Sequence, residues 1–203
     1  MSATRQKIIQ TSYELFGRGG FHAVGLDQII DEAGISKQTF YNHFPSKDDL
    51  IIAVLEHRHA TESKVFAELL QKHGGDSPRQ KLYKLFDALH EWYSKPEWTG
   101  CIFMTAAAEF PTKNEPAHQL AAQHLLAFQE KVQYLATLAG AKDPESLACK
   151  LVMIVEGAIG YRQALHDPES IIIAKSLSTP LLDAELGAEP KSRKKPDAMV
   201  KAL

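Results

Sequence analysis

The chain has 203 residues, 44% of them hydrophobic and 24% charged, with a formal net charge of -2. That is apolar content enough for a packed core, and it excludes disordered, collagen-like and disulfide-scaffold classes. The near-neutral balance offers no general attraction to polyanions, so nucleic-acid binding has to rest on a local constellation of residues.

Along the chain, Ile8, Ile9, Ser12, Leu15 and Phe16 fall on one helix face and Gly19-Gly20 stop it. Leu26, Ile29, Ile30 and Ala33 predict a two-turn helix ended by Gly34. Ser36 is an N-cap for a second short helix anchored by Phe40 and Phe44, which Pro45 closes. Ser46 with Asp49 forms a capping box, and Leu50, Val54, Thr61, Val65 and Leu69 carry a long helix to about Lys72. After a linker at Gly74 to Pro78, one stripe runs from Leu82 to Tyr93. Thr99 to Phe110 is apolar on nearly all sides, and further helices are expected over Pro116 to Leu138, Asp143 to His166 and Asp167 to Leu186. The stretch Leu151 to Ile159 is interrupted by Glu156 and is too short for a membrane span. Residues 188–203 read as a disordered basic tail. Strand-like alternation and internal repeats are absent from the pattern, so the fold class is all-α.

Leu26 to Phe44 therefore reads helix, glycine turn, helix, the second with a polar outward face. That layout is a helix-turn-helix, whose second helix enters the DNA major groove. Gln38, Thr39, Asn42 and His43 are readers of base edges, with Tyr41 on the same helix, and Lys37 and Lys47 sit near helix starts as phosphate clamps. Arg5 and Lys7 read either as an arm on the DNA backbone or as an ordinary solvated terminus.

These residues carry a resemblance. Gly-Phe before the first short helix, Ala33-Gly34-Ile35-Ser36, Phe40-Tyr41-Asn42-His43-Phe44 and Ser46-Lys47-Asp48-Asp49-Leu50 resemble, in order and spacing, the DNA-binding domain of the tetracycline-repressor family of bacterial regulators. The resemblance covers residues 4–55. It departs from many relatives at Val24-Gly25, where a capping hydroxyl is common; Asp27 or bare backbone amides take that role instead. It implies a three-helix DNA-binding domain (residues 1–46) and a helical ligand-binding and dimerisation domain (residues 47–187). The implied protein is a homodimeric regulator, a repressor by expectation, on a palindromic double-stranded operator, released by a small-molecule effector. No cofactor, metal or membrane is expected.

In the second half, Ile154, Val155, Ala158 and Ile159, with Ile172 on the next helix, mark a dimer interface, or else an internal core helix. With Thr99 as cap, Cys101 falls in a first helical turn, where free amides lower a thiol pKa; it reads either as a reactive sensor or as a small apolar wall residue. Cys149 reads as core. Both cysteines are expected as free thiols in a cytoplasmic protein. Phe86, Trp92, Phe103, Met104, Glu109, Phe110, His124, Phe128 and Tyr161 are candidates to line an effector cavity with Cys101. His57-x-His59 is the only spacing suggestive of a metal, and the chain carries no phosphate-cradling loop, nucleophile elbow, zinc-protease or dinucleotide signature, so it is read as a non-enzyme.

Overall fold

The computed structural model describes residues 2–95 and 98–187, and these form ten helices with no strand among them. The predicted basic tail lies outside the described residues. In α1 (Ala3–Gly19) the Ser2 hydroxyl accepts from the Arg5 N–H at 3.2 Å, and the Arg5 guanidinium lies over the Phe44 ring, so Arg5 belongs to a capped helix and not to an arm. In α2 (Leu26–Ala33) the buried face is Ile29, Ile30 and Ala33, and Gly34 closes it in the left-handed conformation that favours glycine. The third helix, α3 (Lys37–Tyr41), is capped by Ser36 as expected but stops before Phe44. Beyond Tyr41 the chain turns, with the His43 N–H bonded to the Phe40 carbonyl, and Phe44 is buried from the turn.

Helix α4 (Lys47–Gly74) opens on the expected capping box: Ser46 Oγ accepts from the Asp49 N–H at 3.1 Å and donates to its carboxylate at 2.6 Å. The stripe between Leu82 and Tyr93 is two helices, α5 (Pro78–Tyr83) and α6 (Leu85–Tyr93), broken at Lys84. Next come α7 (Ile102–Glu109), α8 (Pro116–Leu138), α9 (Pro144–Leu165) and α10 (Ser170–Leu186). Thr99 does not cap α7. Its hydroxyl is buried without a hydrogen-bond partner, and Cys101 occupies the N-cap position.

Two apolar clusters result. The first joins α1, α2 and α3 to the start of α4 and to α7, through Phe16, Phe21, Phe40, Leu50 and Phe103. The second packs the far half of α4 against α5, α6, α8, α9 and α10, through Phe66, Leu82, Phe86, Val132 and Leu151. Each such side chain contributes about 1.5–3 kcal/mol by leaving water. Along α4 the change from one cluster to the other falls between Leu55 and Phe66. Between Leu55 and Phe66 that helix has no buried apolar residue; Thr61 and Val65 are half-buried, and beyond them Phe66 and Leu70 are buried with Leu69 packed partly buried against the same cluster. Cys101 touches both clusters.

Candidate nucleic-acid interface and effector cavity

Five residues are enough for α3 because Phe40 pins it to the first cluster while its other side chains stay outside. Lys37, Gln38, Tyr41 and Asn42 are exposed, and Thr39 and His43 are half-buried. Gln38 Nε2 donates to Asn42 Oδ1 at 3.0 Å across one helical turn, which sets both amides as a pair. Thr39 Oγ1 lies 2.9 Å from Ser36 Oγ, so its hydroxyl completes the cap. Lys37 Nζ is 2.8 Å from Asp27, and that hydrogen bond raises the ammonium pKa. Both groups are solvated, so the pair is worth little and yields readily to a stronger anion. Asp27 thus pairs with Lys37 and does not cap α2, whose N-cap Gly25 makes no side-chain hydrogen bond. Lys47 stands half-buried at the start of α4.

The second feature is a small cavity of about 40 Å³ where α4, α6, α8 and α9 meet at Cys101. Of the expected lining residues, Trp92, Cys101, His124 and Phe128 are there. The others are elsewhere. Phe103 stacks behind His124 with ring centroids 3.6 Å apart, and Phe86 is fully buried in the second cluster. Met104 packs partly buried against that cluster and reaches Gly160. Tyr161 points outward, half exposed. Sequence reasoning missed Glu62, Phe66, Tyr93 and Glu156 in the wall. Glu156 carried a signal, a carboxylate in the middle of an apolar stretch.

Burial dominates the electrostatics here. The Cys101 thiol is pushed up to about 12, first by desolvation and then by the Glu62 and Glu156 charges, which together outweigh the amides of Phe103 and Met104. The expected helix-end activation is present and is outweighed, and Cys101 lines the cavity wall. Burial likewise draws His124 down to about 3 and keeps it neutral. Glu62 is raised by burial against the opposing pull of Arg58. Glu156 is raised to about 7, first by burial and then by Glu62.

Glu109 and Phe110 belong to a joint at the far end of α7. The Glu109 carboxylate accepts from the Phe21 N–H at 3.0 Å and the His22 N–H at 2.7 Å, and Phe110 packs its ring on both side chains. Gly20, at φ +79°, is held so close to that carboxylate that a Cβ would collide with it. One short helix therefore runs from the cavity at Cys101 to the turn before α2. Among the expected interface residues, Val155 and Ile159 are buried in the molecule's own core at 1% and 2% exposure, and Ala158 is nearly so. The outward apolar face is instead Met153, Tyr161 and Leu165 of α9 with Ile173 and Leu177 of α10, beside Ile154 and Ile172. Among the described residues no three His, Cys, Asp or Glu gather to hold a metal, and no helix is long and apolar enough to cross a membrane.

A short helix projecting polar side chains from a helix-turn-helix, joined to a helical body with a partly open cavity, defines the class of helix-turn-helix regulators. Residues 8–54 match the model of bacterial regulatory proteins of the tetR family, and residues 78–176 match that of the tetracyclin repressor-like C-terminal domain. The chain belongs to the tetR family. It is 33% identical over 91 residues to the HTH-type transcriptional regulator YerO of Bacillus subtilis, covering 45% of this chain and 32% of YerO. It is 28% identical over 106 residues to the HTH-type transcriptional repressor NemR of Escherichia coli, covering 52% of this chain and 53% of NemR. The chain thus spans about a third to a half of the length of these curated relatives. The fold is similar to that of SCO4454, a TetR-family transcriptional regulator from Streptomyces coelicolor, with a TM-score of 0.84 at 26% identity over 91% of each chain.

Proposed function

We propose that the protein is a cytoplasmic, homodimeric transcriptional repressor that inserts the α3 helices of its two protomers into successive major grooves of a palindromic operator. The observation that carries this reading is the division of labour in α3, where Phe40 alone holds the helix down and Lys37, Gln38, Tyr41 and Asn42 are left exposed together. Gln38 and Asn42 read base edges, assisted by Thr39, Tyr41 and His43, while Lys37 and Lys47 contact phosphate. Two such helices about 34–36 Å apart fit half-sites one DNA turn apart. The outward face of α9 and α10, through Met153, Tyr161, Ile173 and Leu177, supplies the dimer contact. The DNA-binding part extends into the first turns of α4, and the remainder to residue 187 serves ligand binding and dimerisation.

Release comes from a non-covalent effector entering the cavity at Cys101. Modification of Cys101 is the weaker route, because desolvation and the two carboxylates push its thiol up to about 12, which makes it a poor nucleophile. Fluorescence anisotropy on DNA from upstream of the protein's own gene tests the reading. Lys47→Ala weakens binding to every sequence and flattens the salt dependence by about one unit, whereas Gln38→Ala changes which base is preferred. Equal loss on all sequences for Gln38→Ala removes Gln38 from the readers. A mild thiol electrophile is expected to leave wild type and Cys101→Ser equally bound; release of wild type alone restores the covalent route.

A further inference from the structure

The cavity contains an imbalance of charge. Glu62 and Glu156 approach it from α4 and α9, two otherwise separate walls. Glu62 has a counter-ion: Arg58, one turn earlier, donates from Nε at 3.1 Å and forms an ion pair through its second nitrogen. Glu156 makes no hydrogen bond and no ion pair. His124, 3.7 Å from Glu62, is held neutral and balances neither carboxyl. Lys131 is an exposed residue at the rim, engaged with Ser63 Oγ at 2.9 Å. Around the carboxyls stand aromatic faces and edges. Phe66 meets Phe128 edge-on, and Trp92 stacks on Tyr93.

We propose that this cavity receives a compact organic cation, a protonated or quaternary amine carrying an apolar group, with Glu156 and Glu62 as counter-ions and Phe66, Trp92 and Phe128 around its apolar part. Aromatic faces attract a desolvated cation, and carboxylates out of water favour a partner of opposite sign. A neutral guest leaves Glu156 unpaired and takes away what water it still has, while an anion meets two carboxyls. About 40 Å³ holds little more than a water molecule, so the guest must part the walls as it enters. In doing so it competes with Arg58 for Glu62. The Arg58 guanidinium lies 4.1 Å from the centre of the Tyr13 ring of α1, so a change of charge in the cavity is felt directly by a helix of the DNA-binding part.

This assignment deepens the effector reading and rests on it for its biological use, but the two fail separately. Titration of the full-length protein, followed by the fluorescence of Trp92 in the cavity wall, uses three probes of similar shape: benzyltrimethylammonium, its uncharged carbon isostere neopentylbenzene, and phenylacetate. The cation is expected to bind at least about tenfold more tightly than either of the others. Glu156→Gln, which keeps the volume and loses the charge, is expected to remove that margin while leaving the neutral probe unchanged. Wild-type affinity for the cation rises from pH 6 to pH 8 as Glu156 ionises, and Glu156→Gln flattens the rise. The titratable and charged groups that share the cavity wall with Glu156 are Glu62 of α4, Tyr93 of α6, Cys101 before α7, and His124 and Lys131 of α8, with Arg58 behind Glu62 and His59 behind His124. Equal or tighter binding of a neutral or anionic probe, cation affinity unchanged by Glu156→Gln, or no cation binding at millimolar concentration overturns the proposal. Cation binding that leaves operator affinity untouched keeps the cation site and removes the effector reading. A neutral probe that binds and releases the operator does the reverse.

Discussion

The α2–α3 unit and the cavity are built on opposite plans. In the first, apolar side chains such as Ile29, Ile30 and Phe40 point inward while Lys37, Gln38, Tyr41 and Asn42 are exposed, so these can exchange water for a phosphate or a base at little cost. In the second, Glu62, Glu156, Cys101, Tyr93 and His124 are held out of water and all five are displaced toward their neutral forms, burial being the largest cause in each case. The reading surface is therefore stable and its polar groups weakly committed, whereas the cavity stores unfavourable desolvation that a guest of the right charge relieves.

The contrast is broken most severely at its foundation. Phe40→Ala removes a fully buried ring from the base of α3 and is expected to cost about 3–5 kcal/mol, read as a lower thermal midpoint together with lost operator binding. A midpoint within a degree or two of wild type means that α3 is held by something other than Phe40. Next in size is Glu109→Ala, which strips the acceptor from the Phe21 and His22 amides and is expected to cost about 1–2 kcal/mol. Faster hydrogen exchange at those two amides is the specific sign; unchanged exchange denies that Glu109 ties α7 to the turn before α2.

The stored desolvation has a signature in pH. Glu156 binds its proton more tightly folded than unfolded, so its contribution favours the fold below the ordinary glutamate value of 4.5 and is lost as pH rises to about 7 and beyond. Glu156→Gln should accordingly raise stability by about 1–2 kcal/mol at pH 8 and hardly at all at pH 4, by chemical denaturation without ligand. An equal effect at both pH values contradicts burial of the carboxyl. The smallest effect belongs to the solvated pair in the reading head. Asp27→Asn frees Lys37 and is expected to change stability by less than about 0.5 kcal/mol while tightening DNA binding through the released charge. Weaker DNA binding shows that Asp27 positions Lys37.

How far each region could be read beforehand follows from the same difference. In α2 and α3 the buried face, the Gly34 turn and the Ser36 cap all lie within a few residues of one another, and the structure has them at the expected places. The misplaced end of α3 has a local cause, since Phe44 keeps the helical spacing of a buried residue while reaching the core from a turn. In α9, by contrast, apolar residues occupy both the inner face, with Val155 and Ile159, and the outer one, with Met153 and Tyr161, so spacing alone does not separate core from interface. Cys101 was placed correctly at a helix start, yet its chemistry is governed by Glu62 and Glu156, which are distant in sequence.

The sequence by itself determined the all-α class, the reading head with its caps, and the family, because helix period, capping and glycine turns act between residues a few positions apart. Only the tertiary structure decided that Glu109 joins α7 to the turn before α2, that α9 turns Tyr161 outward, and that two carboxyls share one cavity in which Arg58 pairs with Glu62 alone. Those outcomes depend on which helix faces meet, and on the water that their meeting removes.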